Sequence, residues 1–201
     1  MSGSHCVSLR PAFVASAAIV AFGAVLAPSL RAQTMQDPDF VVEDLAGTYS
    51  QPTCFRFASA TEFLVGEKGG VVWDVRDGAK RATPVIDLKQ EILNNGDRGL
   101  LSLAIDPNFA SNGWLYLLYV VDPNQDGNDS EQESFGRLTR YTTALDANGN
   151  RVADLASRLV LIGATWSEGI PSLHFSHAVG DLRFASDGSL FLSAGDGATG
   201  T

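Results

Sequence analysis

Two histidines, His174 and His177, stand three residues apart in the segment LHFSHAVGDLRFASDGSLFLSAGDGATGT, which covers residues 173–201. Imidazole titrates near neutral pH, so either ring can accept a proton from a substrate hydroxyl as a general base. Both rings can instead bind a metal ion, although a spacing of three on a loop identifies no third ligand. Packing of one ring and solvation of the other is the third interpretation. The spacing alone leaves all three open.

A second group of potential ligands lies in the acidic segment DPNQDGNDSEQE, residues 122–133. The segment matches the twelve-residue pattern of a calcium-binding loop, in which oxygen ligands converge around a glycine. The matching residues are Asp122, Asn124, Asp126, Gly127 and Glu133. Such a loop normally joins two helices, whereas the flanking runs WLYLLYVV and FGRLTRY have the composition of strands. The segment is therefore either a calcium site or a solvated hairpin loop.

Asp196 and Trp166 lie on either side of the histidines, and each has two interpretations. Asp196 belongs to the run SAGDG, where it is a site residue at a strand end or a turn residue, because Asp and Gly tolerate the backbone angles of tight turns. Trp73, Trp114 and Trp166 are all expected to fill space between sheets. Trp166 has a second interpretation as a substrate contact, because it lies in the loop just before His174.

The elements that position these groups are predicted to be antiparallel strands. Runs rich in aromatic and β-branched residues alternate with turn sequences from Cys54 onward. Two apolar runs, residues 99–107 and 114–121, favour strands that are buried on both faces. Residues 83–95 are the best helix candidate, but their irregular apolar spacing limits the helix to one short turn.

Two hairpins are predicted in the second half of the chain. FGRLTRYTT pairs with SRLVLIG across residues 146–150, which contain the hairpin signal Asn-Gly. DLRFA pairs with SLFLSAG across residues 186–188. The second hairpin directly follows His177, so it is the scaffold that presents the histidine loop.

Three segments, which begin at Phe55, Leu103 and Leu182, share one plan of strand, polar turn and aromatic-rich strand. Two of them also share the run Arg-Phe-Ala-Ser. Recurrence at intervals of roughly 40 to 50 residues is typical of β-propeller blades. The second interval is longer because it includes the acidic loop and the hairpin that follows it. The repeats therefore predict a propeller, with a β-sandwich as the alternative.

Residues 1–32 have the features of a secretory signal peptide. Arg10 precedes a long uncharged apolar run, and Ala32 closes the cleavage site. An uncleaved membrane anchor is the alternative, because the run approaches the length of a spanning helix. We interpret residues 33–49 as a linker that leads into the first strand and residues 50–201 as the folded domain.

The charge and the cysteines narrow the class of partner. The chain has a formal net charge of −9, and loss of Arg10 and Arg31 with the leader makes it more acidic. An acidic surface disfavours nucleic acid and anionic membranes, so membrane contact is expected only through an uncleaved leader.

Without the leader, Cys54 is the single cysteine. It is either buried or paired with a residue outside this sequence.

The segment SHAVGDLRFASDGSLFLSAGDG resembles the pyrroloquinoline-quinone (PQQ)-dependent glucose/sorbosone dehydrogenase family. In that family a histidine, two residues and a glycine precede a strand, an Asp-Gly turn and a second strand that ends in Gly-Asp. The upstream run GDRGLLSLAIDPNFASNGWLYLLYV, with RLTRY after it, is similar to the family's N-terminal block. With the region Phe63–Asp74, the resemblance covers most of residues 50–201.

The resemblance implies an all-β fold, the N-terminal two to three blades of a six-bladed β-propeller of antiparallel four-stranded sheets. It implies an oxidoreductase, secreted or periplasmic, that uses PQQ and calcium to oxidise the anomeric hydroxyl of an aldose sugar to a lactone by hydride transfer to PQQ. An external electron acceptor then reoxidises the quinone. The residues that hold the quinone are expected after Thr201, so the partial propeller is expected to be inactive by itself.

The resemblance also assigns roles to individual residues. His177 falls on the catalytic base, and Gly180 falls on the glycine that follows it. Asp97 and Arg98 lie in the turn from which glucose-oxidising members contribute a glutamine to the substrate site, with Asp97 in place of that glutamine. Ser176 stands where those members carry an aspartate. The substrate-site candidates are thus Asp97, Arg98, Ser176 and Gly180. The replacements at positions 97 and 176 leave the identity of the sugar open.

Two other functions are compatible with a propeller of this kind. The family has a non-enzymatic branch, similar to hedgehog-interacting protein, which uses the propeller to bind a glycan or a protein. A calcium-dependent lactonase or hydrolase propeller is the other alternative, with the metal ion as the catalytic group.

Overall fold

The structure is a computed structural model of the 201-residue chain, and it describes residues 7–11, 37–45, 47–127 and 133–197. Strand β1 (Val7–Pro11) pairs antiparallel with β2 (Phe40–Asp44). Most of the predicted signal peptide lies outside the described residues. In the part of the chain that the structure describes, no helix is long and apolar enough to cross a membrane.

The first large sheet contains four antiparallel strands in chain order: β3 (Pro52–Phe57), β4 (Glu62–Glu67), β5 (Val71–Arg76) and β6 (Ala79–Lys80). A short strand, β7 (Ile86–Asp87), pairs with the start of β5. Residues 83–95 contain one short turn, as predicted, in which the N–H groups of Glu91 and Ile92 donate to Leu88 O at 2.9 and 3.1 Å.

The second large sheet repeats this order with β8 (Leu100–Ile105), β9 (Trp114–Val120), β10 (Ser134–Leu145) and β11 (Arg151–Ile162). A four-residue helix, α1 (Phe109–Asn112), fills the turn between β8 and β9. The predicted hairpin at residues 146–150 is confirmed, and Asp146 closes it by accepting the N–H groups of Asn148 and Asn150. A 3-10 helix (Trp166–Glu168) and the short strand β12 (Ile170–Ser172), which pairs with β10, lead to the histidine loop.

The third sheet is the predicted hairpin of β13 (Val179–Phe184) and β14 (Leu190–Ala194). The first strands of the three sheets lie side by side, because β8 contacts both β3 and β13. The three repeated segments are the first two strands of the three sheets. The described chain is therefore two four-stranded propeller blades and the inner half of a third, as the repeats predict.

The apolar core lies between adjacent sheets, and β9 explains why its sequence is continuously apolar. Leu115, Leu117 and Tyr119 pack on the first sheet, whereas Leu118 and Val120, from the opposite face of the strand, pack toward the third sheet. Alternate residues of a strand point to opposite faces, so both faces of β9 are buried. Full burial of one such side chain contributes about 1.5–3 kcal/mol to the free energy of unfolding.

Glu91 is the centre of a polar brace within the second blade. Its Oε1 accepts hydrogen bonds from Tyr119 Oη at 2.6 Å and Arg137 Nη1 at 2.7 Å, and it also accepts from Arg158. Burial, reinforced by the Glu91 carboxylate, raises the pKa of Tyr119 far above its usual value. The brace fixes the turn after β7 onto β9, β10 and β11.

Cys54 is buried on β3 and packs against the backbone of Gly66. A Cβ added at Gly66 would lie 2.6 Å from the sulfur of Cys54. Burial disfavours the thiolate and raises the pKa of Cys54 to about 11. The residue has the environment of a small apolar side chain, the first of the two expected interpretations.

Candidate active site

His177 lies in the loop that precedes β13, and Asp196 follows the end of β14. The two strands are antiparallel, so the residue before the first strand meets the residue after the second. His177 Nδ1 lies 2.8 Å from Asp196 Oδ1. Of the two interpretations open for Asp196, the structure supports the site residue.

The hydrogen bond to Asp196 determines the tautomer of His177. An ionised carboxylate can only accept hydrogen bonds, so Nδ1 carries the proton and the lone pair of the neutral ring is on Nε2. Nε2 makes no hydrogen bond within the described residues. The side chains of His177 and Asp196 are 54% and 70% exposed, so the pair is open to a substrate. An exposed ion pair of this kind contributes little to the free energy of unfolding. Its main effect is to orient the imidazole ring of His177.

Asp97 comes from the turn before β8 and meets the histidine loop from the second sheet. Its Oδ2 accepts the backbone N–H of His177 at 3.2 Å, and its own N–H donates to Phe175 O at 2.7 Å. His177 has a φ of 56°, in the left-handed region that non-glycine residues rarely adopt. Asp97 therefore supports a strained backbone, and its exposed carboxylate lies beside the predicted base.

Arg98, the next residue, is buried, with 1% of its surface exposed. Its Nε lies 2.9 Å from His174 O and 3.3 Å from Ser172 Oγ, and its Nη2 donates to Ser172 O at 2.9 Å. The guanidinium thus binds the strand end and loop that lead to His177. A direct contact between Arg98 and a substrate stays a prediction.

The two histidines have different partners. His174 Nδ1 lies 2.9 Å from Ser176 Oγ, and its ring contacts the Phe175 ring with centroids 3.9 Å apart and planes tilted by 39°. Among the described residues no three His, Cys, Asp or Glu side chains are grouped closely enough to hold a metal ion. The two rings thus make separate contacts, and the base role of His177 stays a prediction.

Gly180 and Ser176 flank the base as the sequence expects, and the structure gives Gly180 a packing role. A Cβ at Gly180 would lie 2.5 Å from Ser193 Oγ on β14. A side chain at this position would require Ser193 to move, so glycine allows the close approach of β13 and β14 next to the site. The substrate contacts predicted for Gly180 and Ser176 stay predictions.

The acidic loop joins β9 to β10, two strands instead of two helices. Asp122 is buried and its Oδ2 accepts the N–H of Gly127 at 3.0 Å, while Asn124 Nδ2 donates to Asp126 Oδ2 at 3.0 Å. Glu133 directly precedes β10, and residues 128–132 of the loop lie outside the described part of the chain. Calcium binding by this loop stays a prediction.

Trp166 opens the 3-10 helix before the histidine loop. Its ring packs on Phe135 with centroids 5.5 Å apart, and 44% of the residue is exposed. This position is consistent with the expectation that Trp166 differs from the two tryptophans on strands.

The hydrogen bonds from Arg98 to the histidine loop are the feature that sequence reasoning missed. Nothing in the sequence around Arg98 indicates that its charge is buried.

The chain matches the sequence profile of the family described as Glucose / Sorbosone dehydrogenase over residues 49–201. It is 31% identical over 139 residues to Hedgehog-interacting protein of Mus musculus and 32% identical over 139 residues to the Homo sapiens protein. Each match covers 67% of this chain and 19% of the relative. The chain therefore spans about a fifth of the length of these relatives.

Solved structures of dehydrogenases have the same fold. The PQQ-bound aldose sugar dehydrogenase from Streptomyces coelicolor matches with a TM-score of 0.51 at 17% identity, over 99% of this chain and 45% of that one. A putative glucose dehydrogenase from Thermus thermophilus matches with a TM-score of 0.51 at 22% identity, over 73% of this chain and 37% of that one. The profile match covers most of the chain, and we conclude that the chain belongs to the glucose/sorbosone dehydrogenase family.

Proposed function

We propose that this chain is the N-terminal part of an exported, PQQ-dependent sugar dehydrogenase in which His177 is the general base. The observation that carries the proposal is the hydrogen bond between His177 Nδ1 and Asp196, which leaves Nε2 available at an exposed site. Membership of a sugar dehydrogenase family supplies the class of substrate, an aldose.

The proposed reaction oxidises the anomeric carbon of the aldose to a lactone. The anomeric hydroxyl loses its proton to His177 Nε2, and the carbon loses a hydride to the electron acceptor, so that a carbonyl forms. Asp196 stabilises the imidazolium and keeps the ring in one orientation. General bases of this type contribute roughly 10²- to 10⁴-fold to the rate.

PQQ is bound in the Streptomyces coelicolor relative, and such a quinone supplies two-electron chemistry when it is present. In the described part of the chain, the charged side chains that hydrogen-bond to His177 are the exposed carboxylates of Asp97 and Asp196, and the guanidinium of Arg98 is buried in the loop. The carboxylates of the quinone need cationic partners, which these residues do not provide. We assign to this chain only the proton transfer.

The proposed export rests on the apolar leader of residues 1–32. Mass spectrometry of the N-terminal peptide of the secreted or periplasmic protein should identify Gln33, free or cyclised to pyroglutamate, as the first residue. A mature protein that retains the leader and sediments with the membrane would support the anchor alternative.

The test uses the full-length protein with PQQ, calcium and an artificial electron acceptor. His177→Ala is compared with His174→Ala, a matched control in which a histidine of the same loop loses its ring. We expect His177→Ala to lower kcat by roughly 10²-fold or more, and His174→Ala to retain most of the activity. A folded His177→Ala protein that turns over like the wild type would contradict the base assignment.

A propeller that binds a glycan or protein without catalysis is the second candidate. The 31–32% identity to the Hedgehog-interacting proteins favours it. Absence of aldose oxidation by the quinone-loaded full-length protein, together with saturable binding of a glycan or protein, would support this candidate. Lactone hydrolysis without added quinone would instead support a lactonase.

A further inference from the structure

We propose that Arg98 is a positioning residue, whose guanidinium holds the loop of residues 172–177 in the conformation that presents His177. The inference rests on the proposed role of His177 as the base. It assigns to Arg98 an indirect action through the loop, in place of contact with the sugar.

The first argument is that the loop needs external support. His177 has a φ of 56°, and a non-glycine residue in the left-handed region costs of order 1–3 kcal/mol. Such a conformation persists only where the surrounding structure holds it. The side-chain hydrogen bond to Asp196 acts on the ring and leaves the preceding backbone unsupported.

The second argument is that the turn before β8 supplies this support at several points. The guanidinium of Arg98 binds Ser172 O and His174 O at 2.9 Å each. Further along the loop, the N–H of Asp97 binds Phe175 O at 2.7 Å, and Asp97 Oδ2 accepts the N–H of His177 at 3.2 Å. Successive backbone groups of the loop are thus fixed to one turn of the neighbouring sheet.

The third argument concerns the type of side chain. Two different nitrogens of Arg98, Nε and Nη2, reach carbonyls that are two residues apart in the chain. A planar guanidinium offers donors in this fixed fork, whereas a lysine offers a single point of attachment. The contact therefore requires arginine, and Arg98→Lys is a specific probe of it.

The fourth argument is burial. Arg98 is 1% exposed, whereas Asp97, its neighbour in the chain, is exposed at the site. Because the loop encloses the side chain of Arg98, that side chain acts through its contacts with the loop. The two residues of the turn therefore differ in role: Asp97 is exposed at the site, and Arg98 hydrogen-bonds to the loop backbone behind it.

The experiment compares Arg98→Lys, Arg98→Ala and Ser172→Ala in the full-length protein. Arg183→Lys is the matched control, because Arg183 is an exposed arginine toward the other end of β13. Hydrogen exchange measured by mass spectrometry reports on the amides of residues 173–178, and steady-state kinetics with PQQ and an aldose report kcat and KM. Added guanidinium ion tests chemical rescue of Arg98→Ala.

We expect Arg98→Lys to accelerate exchange in residues 173–178 by roughly 10-fold or more, and to lower kcat by roughly 10²-fold with KM nearly unchanged, since misplacement of a base affects the chemical step. Guanidinium should restore part of the protection and kcat of Arg98→Ala. Arg183→Lys should leave both readouts unchanged. If Arg98→Ala does not fold, Arg98→Lys and Ser172→Ala decide the outcome.

Two results would overturn the proposal. Wild-type exchange in Arg98→Lys combined with a raised KM would show that Arg98 contacts the sugar. Acceleration of exchange spread evenly over the chain would show a general loss of stability. If the wild type oxidises no aldose, the proposed enzyme fails, yet the exchange measurement still decides whether Arg98 holds the loop.

Discussion

Asp181 on β13 forms an ion pair with Arg56 on β3, with 2.6 Å between Oδ1 and Nη2. The same carboxylate oxygen accepts a hydrogen bond from Ser102 Oγ on β8 at 2.6 Å. One side chain of the third sheet is therefore bound to the first strand of each of the other two sheets. This contact fixes the relative position of the three sheets next to the site.

Replacement of Asp181 should weaken the association of the sheets. Asp181→Asn removes the charge of a side chain that is 48% exposed, while Arg56 keeps its hydrogen bonds to Phe55 O and Leu182 O. We therefore expect the free energy of unfolding to fall by about 0.5–1 kcal/mol. Urea titration monitored by circular dichroism measures the change. Asp87→Asn, which alters an exposed carboxylate paired with Lys89, is the control and should change stability by less than about 0.5 kcal/mol.

The same variant should alter the dependence of stability on pH. Burial opposes ionisation of Asp181, but the hydrogen bonds from Ser102 and Arg183 prevail and hold its pKa well below the usual value. A group with a lowered pKa stabilises the fold above its unfolded pKa, and this contribution is lost as pH falls below about 4. Asp181→Asn should therefore show a weaker loss of stability in acid than the wild type. Parallel acid profiles would contradict the assignment.

Asp196→Asn should impair catalysis more than binding. The amide can donate to His177 Nδ1 and favour the wrong tautomer, so we expect kcat to fall by roughly 10²- to 10⁴-fold with a small change in KM. Steady-state kinetics of the full-length protein with PQQ provide the measurement. Asp187→Asn alters the turn at the far end of the same hairpin and should retain wild-type kcat. Equal kcat values for Asp196→Asn and wild type would remove Asp196 from the site.

Gly96 and Gly188 form a matched pair that separates backbone strain from lack of space. Both have positive φ values, +57° and +87°, but a Cβ at Gly96 would clash with Phe175, whereas nothing lies within 4 Å of one at Gly188. Gly188→Ala should cost about 1–2 kcal/mol of stability and leave activity intact. Gly96→Ala should cost more and also displace the histidine loop. Thermal unfolding and kcat measured on both variants test this difference, and similar effects would contradict it.

Glu91→Gln should be one of the most destabilising single substitutions on the second blade. Two arginines and Tyr119 donate to the same carboxylate oxygen, so a neutral amide removes the counter-charge of buried Arg137 and of partly exposed Arg158. We expect a loss of about 3–5 kcal/mol in the free energy of unfolding, measured in urea. Glu168→Gln, at an exposed 3-10 helix, is the comparison. A loss below about 1 kcal/mol for Glu91→Gln would mean that the brace is dispensable.

Calcium should stabilise the protein if the acidic loop binds it. Added calcium should then raise Tm, a chelator should reverse the increase, and Asp126→Ala should abolish it, because bound ligand favours the folded state by mass action. Asp154→Ala, a carboxylate outside the loop, should keep the response. A Tm that does not depend on calcium would support the alternative of a solvated hairpin loop.

The sequence predicted the strands well because their signals are local. The run WLYLLYV is apolar at every position, and burial of both faces of β9 follows from that pattern. The pairing of Asp196 with His177 depends on the register of β13 and β14, which is shifted between Val179 and Leu182. No local pattern determines such a shift.

The burial of Arg98 also could not be predicted from local sequence patterns. A charged residue in a polar turn is normally exposed, and its acceptors, Ser172 and His174, arrive from more than 70 positions later in the chain. The resemblance to the family predicts that the turn is part of the substrate site. It did not distinguish the residue that faces the site from the one that is enclosed.

The residues that shape the His177 site come from the second blade and the hairpin that follows it, all within residues 95–197. Chains emerge from the ribosome from the N-terminus, and units fold as they become available. The turn that carries Asp97 is therefore synthesised before the β13–β14 hairpin that packs against it. Within the described residues, the contacts that position His177 all come from this one stretch of the chain.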